Sequence, residues 1–225
     1  GAGLRRPGRA LAGAAHMKIP LFIKLTALVA IVALTAHAQM PEPEPRPPHA
    51  GPVATAIFAG GCFWCMEQDF EMLPGVVEVE SGYTAGWTRN PSYREVSAGY
   101  TGHTEAIRVI YDPQRISYPQ LVGYFWRHID PTVRDQQFCD VGPQYRSGIY
   151  WQNEAEREVA EASREMLLRS GRFRNIYTEL APASMFWQAE EYHQDYYRKN
   201  PLRYSYYRAA CGRDGRVAEV WGEKK

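Results

Sequence analysis

Apolar residues change period several times along this chain, and each change predicts an element. Val53 to Ala59 is a short apolar run ended by Gly60-Gly61, the pattern of a strand stopped by a turn. Phe63, Met66, Phe70 and Leu73 then recur at helical spacing from Cys62 until Pro74-Gly75 ends the pattern. Val76, Val77 and Val79 predict a second strand, which leads into the glycine-rich stretch 82–86. Thr104 to Tyr111 alternates with period two and stops at Asp112-Pro113. A helix is predicted from Ser117 through Leu121, Val122, Phe125 and Trp126, and a strand over Arg146 to Trp151. Asn153, with Glu156 three residues on, fits the start of a helix reaching Ser170-Gly171. From Ala189 to Trp221 the chain is aromatic and basic without a clean period, which predicts a wrapped tail with one helix near Glu190–Lys199. Strands and helices interleave, so the expected class is α/β or α+β, one sheet with helices packed on it.

The N-terminal part follows a different grammar. Met17-Lys18 opens a short basic stretch that includes Lys24, an apolar run follows from Leu25 to Ala36, and Ala36-His37-Ala38 resembles a cleavage site. Residues 17–38 are therefore read as a signal peptide. The run is shorter than the ~20 residues that span a bilayer, so the expected location is the periplasm or beyond, with a membrane tether if the leader stays uncleaved. Residues 1–16 are read as an upstream segment without a fold. The Pro-rich stretch within 39–52 reads as an extended tether, and 53–225 as a single catalytic domain.

Composition adds limits rather than a function. The 225 residues are 45% hydrophobic and 23% charged, an ordinary globular balance. The formal charge of +1 conceals an asymmetry: residues 1–38 hold Arg5, Arg6, Arg9, Lys18 and Lys24 and no acid, leaving 21 basic against 25 acidic residues elsewhere. A net acidic body is a poor polyanion platform, so nucleic acid is not an expected partner. Four cysteines in this length are too few for a disulfide scaffold and need individual readings.

The densest chemistry lies at Gly60-Gly61-Cys62-Phe63-Trp64-Cys65. A strand ends, two glycines allow a tight turn, and Cys62 falls at the first turn of a helix. Free N–H groups and the helix dipole there are expected to favour a thiolate and lower its pKa. Cys65, one turn on, is in reach of Cys62 for a disulfide. Half of a zinc site is the plainer alternative, but Cys139 and Cys211 do not form a second close pair in sequence, so no metal is expected. A buried structural pair is another. A thioredoxin-like dithiol enzyme is a third, although the bulky Phe63-Trp64 insert suits the wall of a pocket better than a surface for disulfide exchange.

Five blocks carry a resemblance to a known family. Gly61-Cys62-Phe63-Trp64 is similar to the catalytic signature of the A-type peptide methionine sulfoxide reductases. Asn90 to Val96, Gly99 to Ala106, Asp140 to Ser147, and Ala189 to Tyr196 with Asn200-Pro201 resemble that family's other motifs, in its order and spacing. The resemblance implies an α+β fold, a two-layer α/β sandwich on a broadly ferredoxin-like mixed sheet with helices on it, and a long coiled C-terminal segment. It implies reduction of methionine-S-sulfoxide, free or in proteins. Cys62 would attack the sulfoxide sulfur and become a sulfenic acid. Glu105 would protonate the departing oxygen, with Tyr93 and Tyr145 donating hydrogen bonds to it and Asp140 ordering water or a substrate amide. Phe63 and Trp64 would cage the substrate methyl group. His103 and His193 fall inside the motifs and are read as structural.

For recycling, the family offers two places for a resolving cysteine, three residues after the nucleophile or in the C-terminal tail. Cys65 is expected to act first, with Cys211 as a second resolver or relay. Cys139 is most simply a small buried side chain. The tail from Leu202 to Lys225 departs from the family's glycine-rich cysteine tail, carrying Arg203-Tyr204-Ser205-Tyr206-Tyr207-Arg208 instead. The resemblance implies a thioredoxin-like reductant, no organic cofactor and a monomeric enzyme. The rival function is an exported dithiol oxidoreductase using Cys62 and Cys65 on protein disulfides, which would not require Tyr93, Glu105 and Tyr145.

Overall fold

A computed structural model describes residues 49–222; the upstream segment 1–16, the leader 17–38 and most of the tether lie outside the described residues. The chain opens with β1 (Ala54–Gly60), α1 (Phe63–Glu71) and β2 (Val76–Thr84), continues through a short α2 (Tyr93–Ser97) to β3 (Thr104–Tyr111), and then forms α3 (Tyr118–Trp126). A small hairpin of β4 (Gln136–Gln137) and β5 (Asp140–Val141) and a 3-10 turn (Pro143–Tyr145) precede β6 (Ser147–Trp151), α4 (Glu154–Arg169), β7 (Glu179–Pro182) and β8 (Trp187–Gln188). The C-terminal part holds a 3-10 turn (Glu191–His193), α5 (Tyr196–Lys199), α6 (Pro201–Cys211) and α7 (Arg213–Trp221).

The main sheet has the order β7-β6-β1-β3-β2-β8. Its pairs are antiparallel except β6 with β7, so the sheet is mixed. Its four inner strands run β6-β1-β3-β2, which with crossover helices α1 and α3 is the β-α-β-β-α-β plan of ferredoxin-like folds. The α+β expectation therefore holds. Strand alternation sorts the faces. Ala56, Phe58, Ile107 and Val109 enter the main core beneath the helices, while Ile57, Ala59, Ala106 and Tyr150 form a second cluster covered by Ala181, Ala183 and Phe186. Phe58 is the hub of the first layer, stacked on Phe70 of α1 at 5.3 Å and on Phe125 of α3 at 5.2 Å between ring centroids. Asn153 caps α4 by accepting from the Glu156 N–H, as its spacing predicts.

The tail differs from expectation. In place of one helix near Glu190–Lys199, three helices follow the second 3-10 turn, and two of them lie beyond Asn200. Their outward residues are strongly apolar in places (Leu202 is 85% exposed), which masks the amphipathic period. Tertiary contacts hold them instead. Arg213 is fully buried, donating to the Gly60 carbonyl at 3.1 Å and the His128 carbonyl at 2.9 Å. Trp221 donates its indole N–H to the Ile129 carbonyl at 3.0 Å and packs edge-on against Phe173.

Candidate active site

The strand-to-helix junction is built by its glycines. Gly61 takes φ +80°, and a Cβ there would lie 2.5 Å from Cβ of Gln137, so both the backbone and the space demand glycine. A Cβ on Gly60 would meet the sulfur of Met66 at 2.5 Å. The turn delivers Cys62 to the N-cap of α1, where its carbonyl accepts from the N–H groups of Cys65 and Met66. Arg213 clamps the Gly60 carbonyl just before this turn.

Phe63 and Trp64 follow, and both are locked. Trp64 lies flat on Tyr196, with centroids 3.7 Å apart, and donates its indole N–H to Nδ1 of His193 at 3.0 Å. Burial holds His193 down to about pKa 4, so it is neutral and free to accept. Its ring also packs against Phe63 and Tyr93, at 4.9 and 4.5 Å. His193 thus has Trp64 as its hydrogen-bond partner.

Around Cys62 a cavity of about 80 Å³ is lined by Phe63, Trp64, Tyr93, Glu105, Asp140, Tyr145 and Tyr207. The expected residues Cys62, Phe63, Trp64, Tyr93, Glu105, Asp140 and Tyr145 thus come together from four separate stretches of chain. Glu105 is in phase with Ile107 and Val109 on β3, so it points into the core face and is 3% exposed. Burial pushes its carboxyl up to about 8, partly offset by the Phe63 N–H, which donates to it at 3.0 Å, while the Asp140 charge adds to the rise. At neutral pH it is a protonated acid. Burial raises Tyr93 to about 12 and raises Tyr145 further, so both keep their O–H donors. Glu190, which the sequence reading did not single out, holds Tyr93 in place: its carboxylate accepts from the Tyr93 N–H at 2.8 Å and from the Tyr83 hydroxyl at 2.9 Å.

Two expectations about the thiols change. Cys62 is not a lowered-pKa thiolate. It is 6% exposed, and burial, followed by the Cys65 hydrogen bond and the Cys65 and Glu105 charges, raises its pKa well above the ordinary thiol range. Desolvation outweighs the helix terminus. Cys65 carries the lowered pKa instead, brought to about 7 by its hydrogen bond with Cys62 against burial, with help from Arg213 and Arg208. Cys139 is exposed rather than buried, because it sits at the tip of the β4–β5 hairpin and forms a disulfide with Cys211 at the end of α6. Cys62 and Cys65 are both free. Tyr207 was also missed as a site residue. On α6 it reaches the cavity, donates to Asp140 Oδ2 at 2.6 Å and stands edge-on to Trp64. Its signal was the spacing Tyr204, Tyr207, Cys211 on one helical face, invisible until the tail is known to be helical.

A buried thiol and a neutral carboxylic acid facing one small cavity form a distinctive pair, and the sequence model of the family described as peptide methionine sulfoxide reductase matches residues 54–225. The chain belongs to the peptide methionine sulfoxide reductase family. It is 44% identical over 202 residues to peptide methionine sulfoxide reductase MsrA 2 of Caulobacter vibrioides, covering 90% of this chain and 98% of that protein. With MsrA of Bacillus subtilis it shares 46% identity over 170 residues, 75% of this chain and 96% of the relative. Among solved structures it is similar to methionine sulfoxide reductase A of Corynebacterium diphtheriae, with 35% identity and TM-score 0.62, covering 74% of this chain and 86% of that one. The reduced form of Mxr1 from Saccharomyces cerevisiae gives 34% identity and TM-score 0.61, covering 66% and 86%. The cavity of this family member brings a thiol, a carboxylic acid and aromatic rings together within one small volume.

Proposed function

We propose that this peptide-methionine (S)-S-oxide reductase works by attack of Cys62 on the sulfoxide sulfur while Glu105 protonates the sulfoxide oxygen. A sulfoxide oxygen leaves poorly until it is protonated, so an acid that keeps its proton at neutral pH is the required partner. The observation that carries this reading is Glu105, buried in the same cavity as Cys62 and held near pKa 8. Tyr93 and Tyr145 donate to the same oxygen, Asp140 orders water or a substrate amide, and Phe63 with Trp64 receives the methyl group. Placing the oxygen at the acid and the methyl on the aromatic wall selects one sulfoxide epimer. The small cavity takes the methyl sulfoxide end of the side chain and leaves the substrate backbone outside, which suits both peptides and the free amino acid.

Recycling then starts at Cys65, the free thiol hydrogen-bonded to Cys62, which condenses with the sulfenic acid to form a disulfide and release water. A thioredoxin-like reductant reaches the Cys139–Cys211 disulfide on the exposed Cys139 side and opens it to two thiols, which reduce the Cys62–Cys65 disulfide by exchange and are themselves reoxidised. Burial of Cys62 and Cys65, 6% and 1% exposed, speaks against the rival activity, which needs a protein disulfide to approach one of these sulfurs closely. The leader grammar at 17–38 supports export to the periplasm or beyond. The experiment is single turnover of each methionine sulfoxide epimer with the fully reduced protein. The S-epimer should yield one methionine per chain, and Cys62→Ser should yield none; methionine formation by Cys62→Ser would overturn the assignment.

A further inference from the structure

The Cys62 thiol is protonated at neutral pH, and attack on sulfur requires that proton to go somewhere. Glu105 is itself protonated and faces the oxygen. The groups turned toward Cys62 are Cys65 on its own helix, Glu105 from β3, Tyr93 from α2, Tyr145 from the 3-10 turn, and Tyr207 from α6. Of the three tyrosines, Tyr207 lines the cavity beside Cys62, favours the Cys62 thiolate, and places its hydroxyl 2.6 Å from Asp140 Oδ2. Asp140 is partly buried, with Arg213 as the nearby cation. The cross-link secures both members of this contact. Tyr207 stands one turn before Cys211 on α6, and Asp140 directly follows Cys139, so the disulfide joins the two backbones on which the hydrogen bond depends. Cys139 adds a further tie, its N–H donating to the Cys211 sulfur at 3.2 Å.

We propose that Tyr207 is a further catalytic hydroxyl of this reductase, carrying the proton of Cys62 to Asp140 as the thiol attacks, with the Cys139–Cys211 disulfide holding it there. This rests on the assignment of Cys62 as nucleophile. As the Cys62 sulfur bonds to the sulfoxide sulfur, its proton passes to the Tyr207 oxygen and the Tyr207 proton passes to Asp140. The sulfoxide oxygen takes the Glu105 proton and is transferred to the Cys62 sulfur as hydroxyl. Cys62 ends as a sulfenic acid, oxidised by two electrons; the substrate sulfur is reduced by two and leaves as a thioether. Asp140 then holds the proton that Glu105 has lost, and exchange through water restores both.

The test measures two quantities in Tyr207→Phe, which keeps the ring against Trp64: the single-turnover rate with methionine-S-sulfoxide, and the pH dependence of Cys62 alkylation by iodoacetamide, followed at that peptide by mass spectrometry. Tyr207→Phe should slow single turnover ~10–100-fold, within the range for positioned proton transfer, and should move the Cys62 alkylation profile to higher pH. Asp140→Asn should slow single turnover by a similar factor, and the double variant should be no slower than the slower single, since both cut one relay. Cys139→Ser should shift the alkylation profile in the same direction by less. An unchanged rate and profile in Tyr207→Phe, or effects of the two singles that multiply in the double, would overturn the proposal. Failure of the underlying assignment would show differently, as methionine formation by Cys62→Ser.

Discussion

The two pairs of cysteines sit in opposite environments within one site. Cys62 and Cys65 are buried at a strand-to-helix junction, free and hydrogen-bonded to each other, with carboxylic, phenolic and guanidinium groups around them. Cys139 and Cys211 are joined at the surface, between a hairpin tip and a helix end 72 residues apart in sequence. We read the difference as a division between chemistry and supply. Cys62 of the inner pair lines a cavity of about 80 Å³, in which burial favours the protonated form of Glu105. The outer pair lies at the surface, with Cys139 exposed. Asp140 and Tyr207 lie between the two, so the outer bond braces the inner pocket.

The largest effect should come from removing the inner nucleophile. Cys62→Ser abolishes methionine formation at every pH, whereas changes to the outer pair spare the first turnover; a chromatographic assay of methionine per chain reads both. Next is the acid. Glu105→Gln should slow the first turnover by ~10²–10⁴-fold. In the wild type, the acid is protonated below about pH 8 and lost above it, so single-turnover rates should fall as pH rises through that value, and stopped-flow measurements on Glu105→Gln should lack that fall. Cys65→Ser should keep a full first turnover and lose sustained turnover, with the sulfenic acid trapped by a dimedone-type reagent. The smallest effect on chemistry belongs to the outer pair. Cys139→Ser or Cys211→Ser should leave the first turnover within about tenfold of wild type while lowering stability by about 2–4 kcal/mol, the usual worth of a disulfide, visible in urea melts.

The inner site was largely legible in the sequence and the outer one was not, for physical reasons. Gly60-Gly61 after an apolar run predicts the tight turn, and the φ of Gly61 confirms why glycine stands there. Alternation from Thr104 to Tyr111 predicts β3 to the residue, and the phase that buries Ile107 and Val109 also buries Glu105. Motif resemblance supplied Tyr93, Tyr145 and Asp140, whose convergence depends on tertiary structure that no local pattern encodes. The raised pKa of Cys62 is not legible locally, because a helix terminus is a local feature while desolvation is set by everything packed above it. The tail helices escaped because Leu202 and Tyr206 are apolar yet exposed, and because Arg213, a residue type expected outside, is among the most buried side chains. The Cys139–Cys211 bond joins distant positions, and spacing alone does not decide pairing among four cysteines.

The division between an inner catalytic pair and an outer supply pair is open to one direct measurement. The protein, isolated with Cys139–Cys211 oxidised and Cys62 and Cys65 reduced, is treated with one equivalent of methionine-S-sulfoxide, quenched with acid, and mapped by peptide mass spectrometry without reduction. The arrangement predicts a new Cys62–Cys65 disulfide beside an intact Cys139–Cys211 disulfide, with one methionine released per chain. A Cys62–Cys139 or Cys62–Cys211 link in the product would contradict it.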